Sequence, residues 1–136
     1  MNTNGESMDK RVASSKVLLA EEVYSIVGAA IEVLNELGHG FHEKPYENAL
    51  TIELKLREIP YTQQPSFSIS YKGHDVGVFT PDLIVFDSIV VDTKVIPQIT
   101  DRERGQILNY LKITGHRVGV IFNFAKPKLE WERIVL

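Results

Sequence analysis

Three ionisable residues lie within apolar stretches of this sequence. Asp82 lies inside the run 76–86, and Asp92 and Lys94 lie inside the run 89–96. Strands that are apolar at both odd and even positions are central strands covered on both faces. A buried carboxylate needs a partner there, and a divalent cation suits two carboxylates better than one lysine does. We therefore interpret these residues as the core of a divalent-metal site.

The proposed site depends on strand register. Asp92 and Lys94 are two residues apart and share one face of their strand. Asp82 joins that face only if it pairs with an even-numbered residue, which requires an odd number of loop residues or a bulge. A two-residue turn at 87–88 would instead pair Asp82 with Thr93 and separate the acids. The alternative interpretation of these charges is a salt bridge exposed at the rim of the sheet.

Apolar spacing and turn residues predict the elements that position these side chains. Helices are expected at residues 16–37, from 43 or 44 to before Pro60, and at 101–114; strands are expected at 67–71, 76–86, 89–96, 117–124 and 129–135. The third helix has a capping-box pattern at Thr100 and Glu103, and Gly115 is its expected C-cap. The order α-α-β-β-β-α-β-β predicts an α/β fold with a mixed central sheet flanked by helices.

Length and composition bound the class of protein. The 136 residues suit one domain, expected at 15–136 after a disordered polar tail at 1–14. The chain lacks cysteine, a signal-peptide pattern and any apolar run near the ~20 residues of a membrane span, so we expect a cytoplasmic protein without membrane contact. The net charge of −3 argues against tight, extended nucleic-acid binding, but it does not exclude a nuclease.

Several segments resemble one known family. Residues 40–46 match the pattern GxxExxY through Gly40, Glu43 and Tyr46, and the likeness continues at 71–73, the acidic hairpin, 106–112 and 119–124. In these segments the chain resembles the GxxExxY family of the PD-(D/E)XK nuclease superfamily, over about residues 20–135. The resemblance implies a restriction-endonuclease-like fold.

The resemblance also implies roles for individual residues. Asp82 is similar to the first metal-binding acid and Lys94 to the motif lysine, while Asp92 takes the second acidic place, where this family more often has Glu. The carbonyl of Thr93 would join the two acids as a metal ligand. Glu43 resembles the helix-borne acid that often completes such sites; alternatively, it only favours the helix N-terminus.

Two further positions resemble the QxxxY element of exonuclease-like members. Gln106 and Tyr110 are four residues apart, so both face one side of the third helix. Gln106 could alternatively bond only to backbone. His42 and Pro45 depart from the family pattern, where aliphatic residues are expected.

The expected function is metal-dependent hydrolysis of phosphodiester bonds in nucleic acid, with DNA as the expected substrate and Mg²⁺ or Mn²⁺ as cofactor. Lys94, Asp82, Asp92, Gln106 and Glu43 are the expected catalytic residues. A homodimer around the duplex is a further expectation. The alternatives are an inactive module of the same fold that binds nucleic acid or a protein, and an unrelated enzyme such as a metal-dependent phosphatase.

Overall fold

The computed structural model describes residues 18–136, and the expected tail at 1–14 lies outside this range. Within it, the helices are α1 (Ala20–Leu37), α2 (Glu43–Leu56) and α3 (Asp101–Thr114). The strands are β1 (Tyr61–Gln63), β2 (Phe67–Tyr71), β3 (His74–Phe79), β4 (Leu83–Val85), β5 (Ile89–Lys94), β6 (Val118–Asn123) and β7 (Glu130–Val135). None of these helices is both long and apolar enough to cross a membrane.

The strands form one mixed sheet and one separate hairpin. The main sheet has the order β1-β4-β5-β6-β7, in which β5 and β6 are parallel and the other neighbours are antiparallel. Strands β2 and β3 form a two-stranded antiparallel sheet of their own. Strand β5, which carries Asp92 and Lys94, and strand β4, which follows Asp82, are therefore interior strands of the main sheet. The apolar pattern of the sequence predicts interior strands here.

Helices cover both faces of the main sheet. Helices α1 and α2 pack on the face that carries the odd-numbered residues of β5, through a core that includes Ile26, Leu50 and Val91. Helix α3 packs on the opposite face, where Ile107 contacts Ile121. Burying apolar side chains on both faces is the main favourable term in assembling these layers. The expected α/β fold with a flanked mixed sheet is confirmed.

The number of strands differs from the prediction. The run 76–86 forms two strands rather than one, because it is interrupted at residues 80–82 and Pro81 has no N–H for a strand ladder. Strand β3 pairs with β2, whereas β4 joins the main sheet. Strand β1 was not predicted, because three residues are too few to show alternation. The observed order is α-α-β-β-β-β-β-α-β-β.

The predicted boundaries of α3 are confirmed. Thr100 is the N-cap, and its backbone N–H donates to Glu103 Oε1 at 2.7 Å. Gly115 follows the last residue with a φ of 77°, a left-handed conformation that costs glycine little, and its N–H donates to the carbonyl of Leu111 at 3.0 Å. These caps fix the ends of the helix that carries Gln106 and Tyr110.

Candidate metal centre

The hairpin register sets Asp82 opposite Asp92. Three residues, 86–88, connect β4 to β5, and Leu83 pairs with Val91. One step further along the same register, Asp82 lies across from Asp92, so both side chains are on the face of the sheet that α3 covers. The predicted requirement for an odd number of loop residues is confirmed.

The turn between β4 and β5 has an uncommon backbone conformation. Phe86 and Asp87 have φ values of 56° and 53°, in the left-handed region. The N–H of Ser88 donates to the carbonyl of Val85 at 3.1 Å, and the Ser88 hydroxyl donates to the carbonyl of Phe86 at 2.9 Å. Left-handed conformations are costly for residues other than glycine, and aspartate tolerates them better than most. This turn is what gives the hairpin its register.

Asp82 is held in place by Thr93. Its Oδ2 accepts hydrogen bonds from the backbone N–H of Thr93 at 2.8 Å and from the Thr93 hydroxyl at 2.9 Å. Its backbone carbonyl accepts from the N–H of Gln64 at 2.9 Å. Thr93 is 1% exposed, so these bonds are shielded from water. Asp82 therefore has a fixed orientation toward the end of β5.

The buried carboxylate of Asp92 has too few hydrogen-bond and charge partners to stabilise its ionised form. Its side chain is 13% exposed, and its Oδ2 is buried with no hydrogen-bond partner among the described residues. Lys94 Nζ lies 3.4 Å from this oxygen. Burial raises the pKa of Asp92 to about 7; Lys94 acts against this rise, and the neighbouring Asp82 reinforces it. A further positive charge at this point would stabilise the ionised carboxylate.

Lys94 lies between Asp92 and α3. Its Nζ donates to Gln106 Oε1 at 3.4 Å, which brings together two of the predicted site residues. Burial opposes the charge of this ammonium group, but Asp92, Tyr110 and Glu43 outweigh burial and raise the pKa of Lys94. Only 20% of the Lys94 side chain is exposed, so this pair is not the solvated rim pair of the alternative interpretation.

These groups line a cleft of about 180 Å³. Its lining residues are Glu43, Phe79, Thr80, Pro81, Asp82, Val90, Val91, Asp92, Lys94 and Tyr110. The rings of Phe79 and Tyr110 stack at a centroid distance of 4.0 Å and connect the β2–β3 hairpin to α3. The cleft thus combines acids and a lysine with an aromatic wall.

Glu43 lines the cleft, but it does not form a three-acid cluster with Asp82 and Asp92. It is the first residue of α2, and its Oε2 accepts from the N–H of Val95 at 3.4 Å. Within residues 18–136, no group of three or more His, Cys, Asp or Glu residues is arranged to hold a metal ion. The acids that face each other directly are Asp82 and Asp92.

The chemistry of the donors suits a hard divalent cation. Such cations take carboxylate and carbonyl oxygens, and Mg²⁺ usually keeps several waters beside one or two carboxylates. The N–H and C=O of a strand residue point to the same neighbouring strand. Since the N–H of Thr93 is directed at Asp82, its carbonyl faces the same side. The Oδ2 of Asp92, which accepts no hydrogen bond from the described residues, is available as a further oxygen ligand.

Sequence reasoning missed two contributors to this site. The side chain of Thr93 binds Asp82, although the sequence analysis considered only its carbonyl. Phe79 forms a wall of the cleft, and it lies in the run 76–86 that was interpreted as one strand. A threonine directly between Asp92 and Lys94 was a usable signal, whereas nothing in the sequence indicated Phe79.

Comparisons with known proteins agree with the observed fold. A model of the PD-(D/E)XK nuclease superfamily matches residues 20–134. No curated protein sequence matches the chain significantly. The crystal structure of a protein designated SSO0001 is similar with a TM-score of 0.53 and 18% sequence identity, covering 93% of this chain. This chain spans only 61% of the length of that one, and at such low identity the similarity shows the fold alone.

Proposed function

This chain belongs to the PD-(D/E)XK nuclease superfamily, and on that premise we propose that it is a metal-dependent nuclease that hydrolyses phosphodiester bonds, with DNA as substrate. The observation that supports this most is the buried carboxylate oxygen of Asp92, which accepts no hydrogen bond from the described residues and lies opposite Asp82 in one cleft beside Lys94. Two facing acids beside a lysine are poorly balanced alone, and a divalent cation would complete their charge balance.

We propose that Asp82, Asp92 and the carbonyl of Thr93 hold Mg²⁺ or Mn²⁺. A bound cation of this kind lowers the pKa of a water molecule and stabilises charge that develops on the phosphate. Thr93 keeps Asp82 oriented through two hydrogen bonds, so the carboxylate does not need to reorganise. Glu43 lines the same cleft, and we assign it as a further residue that would help to hold the cation.

Lys94 and Gln106 are assigned to the reacting groups. The raised pKa of Lys94 keeps its ammonium group protonated at neutral pH, so it can donate to the attacking water or to a phosphate oxygen. Gln106 accepts from Lys94 at 3.4 Å, which holds the ammonium group between Asp92 and α3. Tyr110 forms the wall of the cleft next to them.

Within the superfamily, we further propose that the chain is a member of the GxxExxY family. The structure gives a physical reason for this spacing. Gly40 has a φ of 114°, which other residues rarely adopt. The buried hydroxyl of Tyr46 donates to the carbonyl of Gly38 at 2.7 Å and accepts from the N–H of Phe41 at 3.2 Å. Gly40 and Tyr46 thus shape the loop that presents Glu43 to the cleft.

A cleavage assay tests the proposed function. With Mg²⁺ or Mn²⁺, the protein should cut DNA, and EDTA should abolish cutting. Lys94→Ala should lower kcat by about 100-fold or more, because it removes a preorganised charge from the reacting centre. Lys55→Ala, an exposed position on α2, is the matched control and should cut like the wild type. A Lys94→Ala protein with wild-type kcat would refute the assignment.

The same assay separates the alternatives. An inactive module would bind DNA or RNA without cutting either, with or without a divalent cation. A metal-dependent phosphatase would release phosphate from mononucleotides and leave internal phosphodiester bonds intact. A panel of DNA, RNA and nucleotides therefore distinguishes the three functions, and cutting of DNA is the result that we expect.

A further inference from the structure

Residues 95–100 form the segment that joins β5, which carries Lys94, to α3, which carries Gln106. Lys94 is the last residue of β5, and Gln106 lies in the second turn of α3. Their Nζ and Oε1 atoms are 3.4 Å apart, already near the limit of a hydrogen bond. A small shift of this segment would move the two groups out of contact. The interactions that hold the segment therefore bear on the chemistry of the site.

Asn123 holds the middle of this segment. It is the last residue of β6, pairs with Lys94 in the parallel register, and is 1% exposed. Its Nδ2 donates to the carbonyl of Ile96 at 2.9 Å, and its Oδ1 accepts from the N–H of Ile96 at 3.1 Å. Next to it, the N–H of Phe124 donates to the carbonyl of Lys94 at 2.9 Å. The end of β5 and the turn after it are thus bound to β6.

The amide of Asn123 has two more partners. Nδ2 also donates to Glu130 Oε1 at 2.9 Å, and Oδ1 also accepts from the N–H of Ala125 at 3.2 Å. Two acceptors surround the nitrogen and two donors surround the oxygen, so all four bonds form in only one orientation of the amide. An aspartate at this position would turn an oxygen toward the Ile96 carbonyl and the Glu130 carboxylate. Position 123 therefore requires a side-chain amide.

Strand β7 holds the other end of the segment. Both carboxylate oxygens of Glu130 accept from the N–H of Ile99 at 3.2 Å. The Nε and Nη2 atoms of Arg104, in the first turn of α3, each donate to the Glu132 carboxylate at 2.7 Å. These bonds fix the start of α3 relative to the sheet. Gln106 follows Arg104 by two residues, so its position is set by the same bonds.

We propose that Asn123, supported by Glu130, is a positioning residue that sets the spacing of Lys94 and Gln106. This inference rests on the proposed nuclease function. Ile99 is packed in a small apolar cluster, with Ile96 partly buried against it, but apolar contacts are not directional. Hydrogen bonds to both backbone groups of Ile96 define distance and angle together. Asn123 thus acts on the reaction through the backbone that carries Lys94.

The test compares kcat, KM and stability in the full-length protein. Asn123→Ala should lower kcat by about 10- to 100-fold, since small misplacements of reacting groups have effects of this size, and KM should change little. Asn123→Asp should be worse. Thr51→Val is the matched control: Thr51 is 8% exposed and donates to the carbonyl of Asn48 at 2.6 Å, but it lies within α2, away from residues 95–100. It should lose stability and keep its kcat.

Two further readouts separate positioning from a general loss of stability. Amide hydrogen exchange of Ile96 and Ile99 should accelerate in Asn123→Ala and stay unchanged in Thr51→Val. The double variant Asn123→Asp/Glu130→Gln should regain part of the kcat lost in Asn123→Asp, because the glutamine amide can donate to the new carboxylate. If Asn123 variants do not fold, Glu130→Ala provides the same comparison with an expected loss of about 10-fold in kcat.

The outcomes for the two proposals differ. A wild-type protein that cleaves, together with Asn123→Ala and Glu130→Ala proteins of wild-type kcat, overturns the positioning role and leaves the nuclease function intact. A folded wild-type protein that cleaves no nucleic acid with Mg²⁺ or Mn²⁺ overturns the proposed function and, with it, this inference. A fall in kcat limited to the Asn123 and Glu130 variants supports both.

Discussion

Asp92 carries a charge that its own side-chain neighbours do not balance. Lys94 is 3.4 Å away, but Lys94 is shared with Gln106, and Asp82 adds a second negative charge nearby. A buried carboxylate in this position destabilises the fold when it is ionised and no metal ion is bound. An acid that lowers the stability of the folded protein and contributes little to packing is typical of a cation site, because binding of the cation offsets this loss of stability.

The pKa of Asp92 leads to a prediction about stability. Without a cation, folding raises this pKa from 3.8 to about 7, so the folded protein binds the proton more tightly. The contribution of Asp92 to stability is therefore full below pH 4 and is lost as the pH rises through 7. In EDTA, Asp92→Asn should be more stable than the wild type at pH 8, by about 2 kcal/mol. Urea unfolding at pH 5 and pH 8 measures the difference.

A matched control for this prediction is Asp75→Asn, an exposed position in β3. It should leave the pH dependence of stability as in the wild type. Addition of Mn²⁺ at pH 8 should stabilise the wild type and have no comparable effect on Asp92→Asn. If the wild type and Asp92→Asn show the same dependence of stability on pH between pH 5 and pH 8, the pKa of Asp92 is not raised by folding.

Among the elements, the turn between β4 and β5 sets the register that places Asp82 opposite Asp92. Asp87 has a φ of 53°, so Asp87→Gly should stabilise the protein by about 1 kcal/mol. Asp87→Val should destabilise it by more than this, because a β-branched residue fits the left-handed region poorly. Chemical denaturation measures both variants.

Glu58 offers the comparison for this turn. It also has a positive φ, of 59°, but it follows α2 and lies outside the β4–β5 hairpin. Glu58→Gly and Glu58→Val should show the same order of stabilities. Only Asp87→Val should also weaken Mn²⁺ binding, because only this turn sets Asp82 opposite Asp92. Equal stability of Asp87→Gly and Asp87→Val would contradict the left-handed turn.

Strongly patterned elements could be predicted from the sequence. The capping box at Thr100 and the glycine at 115 define α3, and the apolar pattern on both strand faces indicates that β5 is central. Whether Asp82 and Asp92 share a face depends on the number of residues in the loop between their strands. The apolar pattern does not determine that number, so the sequence predicts the shared face only as a condition. The site roles of these residues remain predictions.

Other features depend on tertiary contacts that leave no local signal. Val76 and Val78 are 58% and 66% exposed, although their alternation within an apolar run is typical of a buried strand. Residues 80–82 are not part of a strand, so the hairpin β2–β3 is separate from the main sheet. The ring of Phe79, at the end of β3, stacks on the ring of Tyr110 in α3. Asn123 is the only polar residue in β6, but its partners lie in three other segments.

The molecule as a whole is acidic, with a net charge of −3. Helix α1 carries four glutamates and no lysine or arginine, on the face of the sheet away from α3. If the proposed function holds, nucleic acid would be repelled from that side and would approach the cleft between α3, the β2–β3 hairpin and the start of α2. A metal ion would supply positive charge at the point of approach. The expected homodimer would add a second cleft, and dimerisation and a cytoplasmic location remain predictions.

Crystals grown with Mn²⁺ would test the shared cation site most directly, since anomalous scattering identifies the metal without reference to activity. We predict one strong peak within coordination distance of a carboxylate oxygen from each of Asp82 and Asp92, next to the carbonyl of Thr93. A cleft without a peak at saturating Mn²⁺, or a peak bound to only one of the two acids, would contradict it.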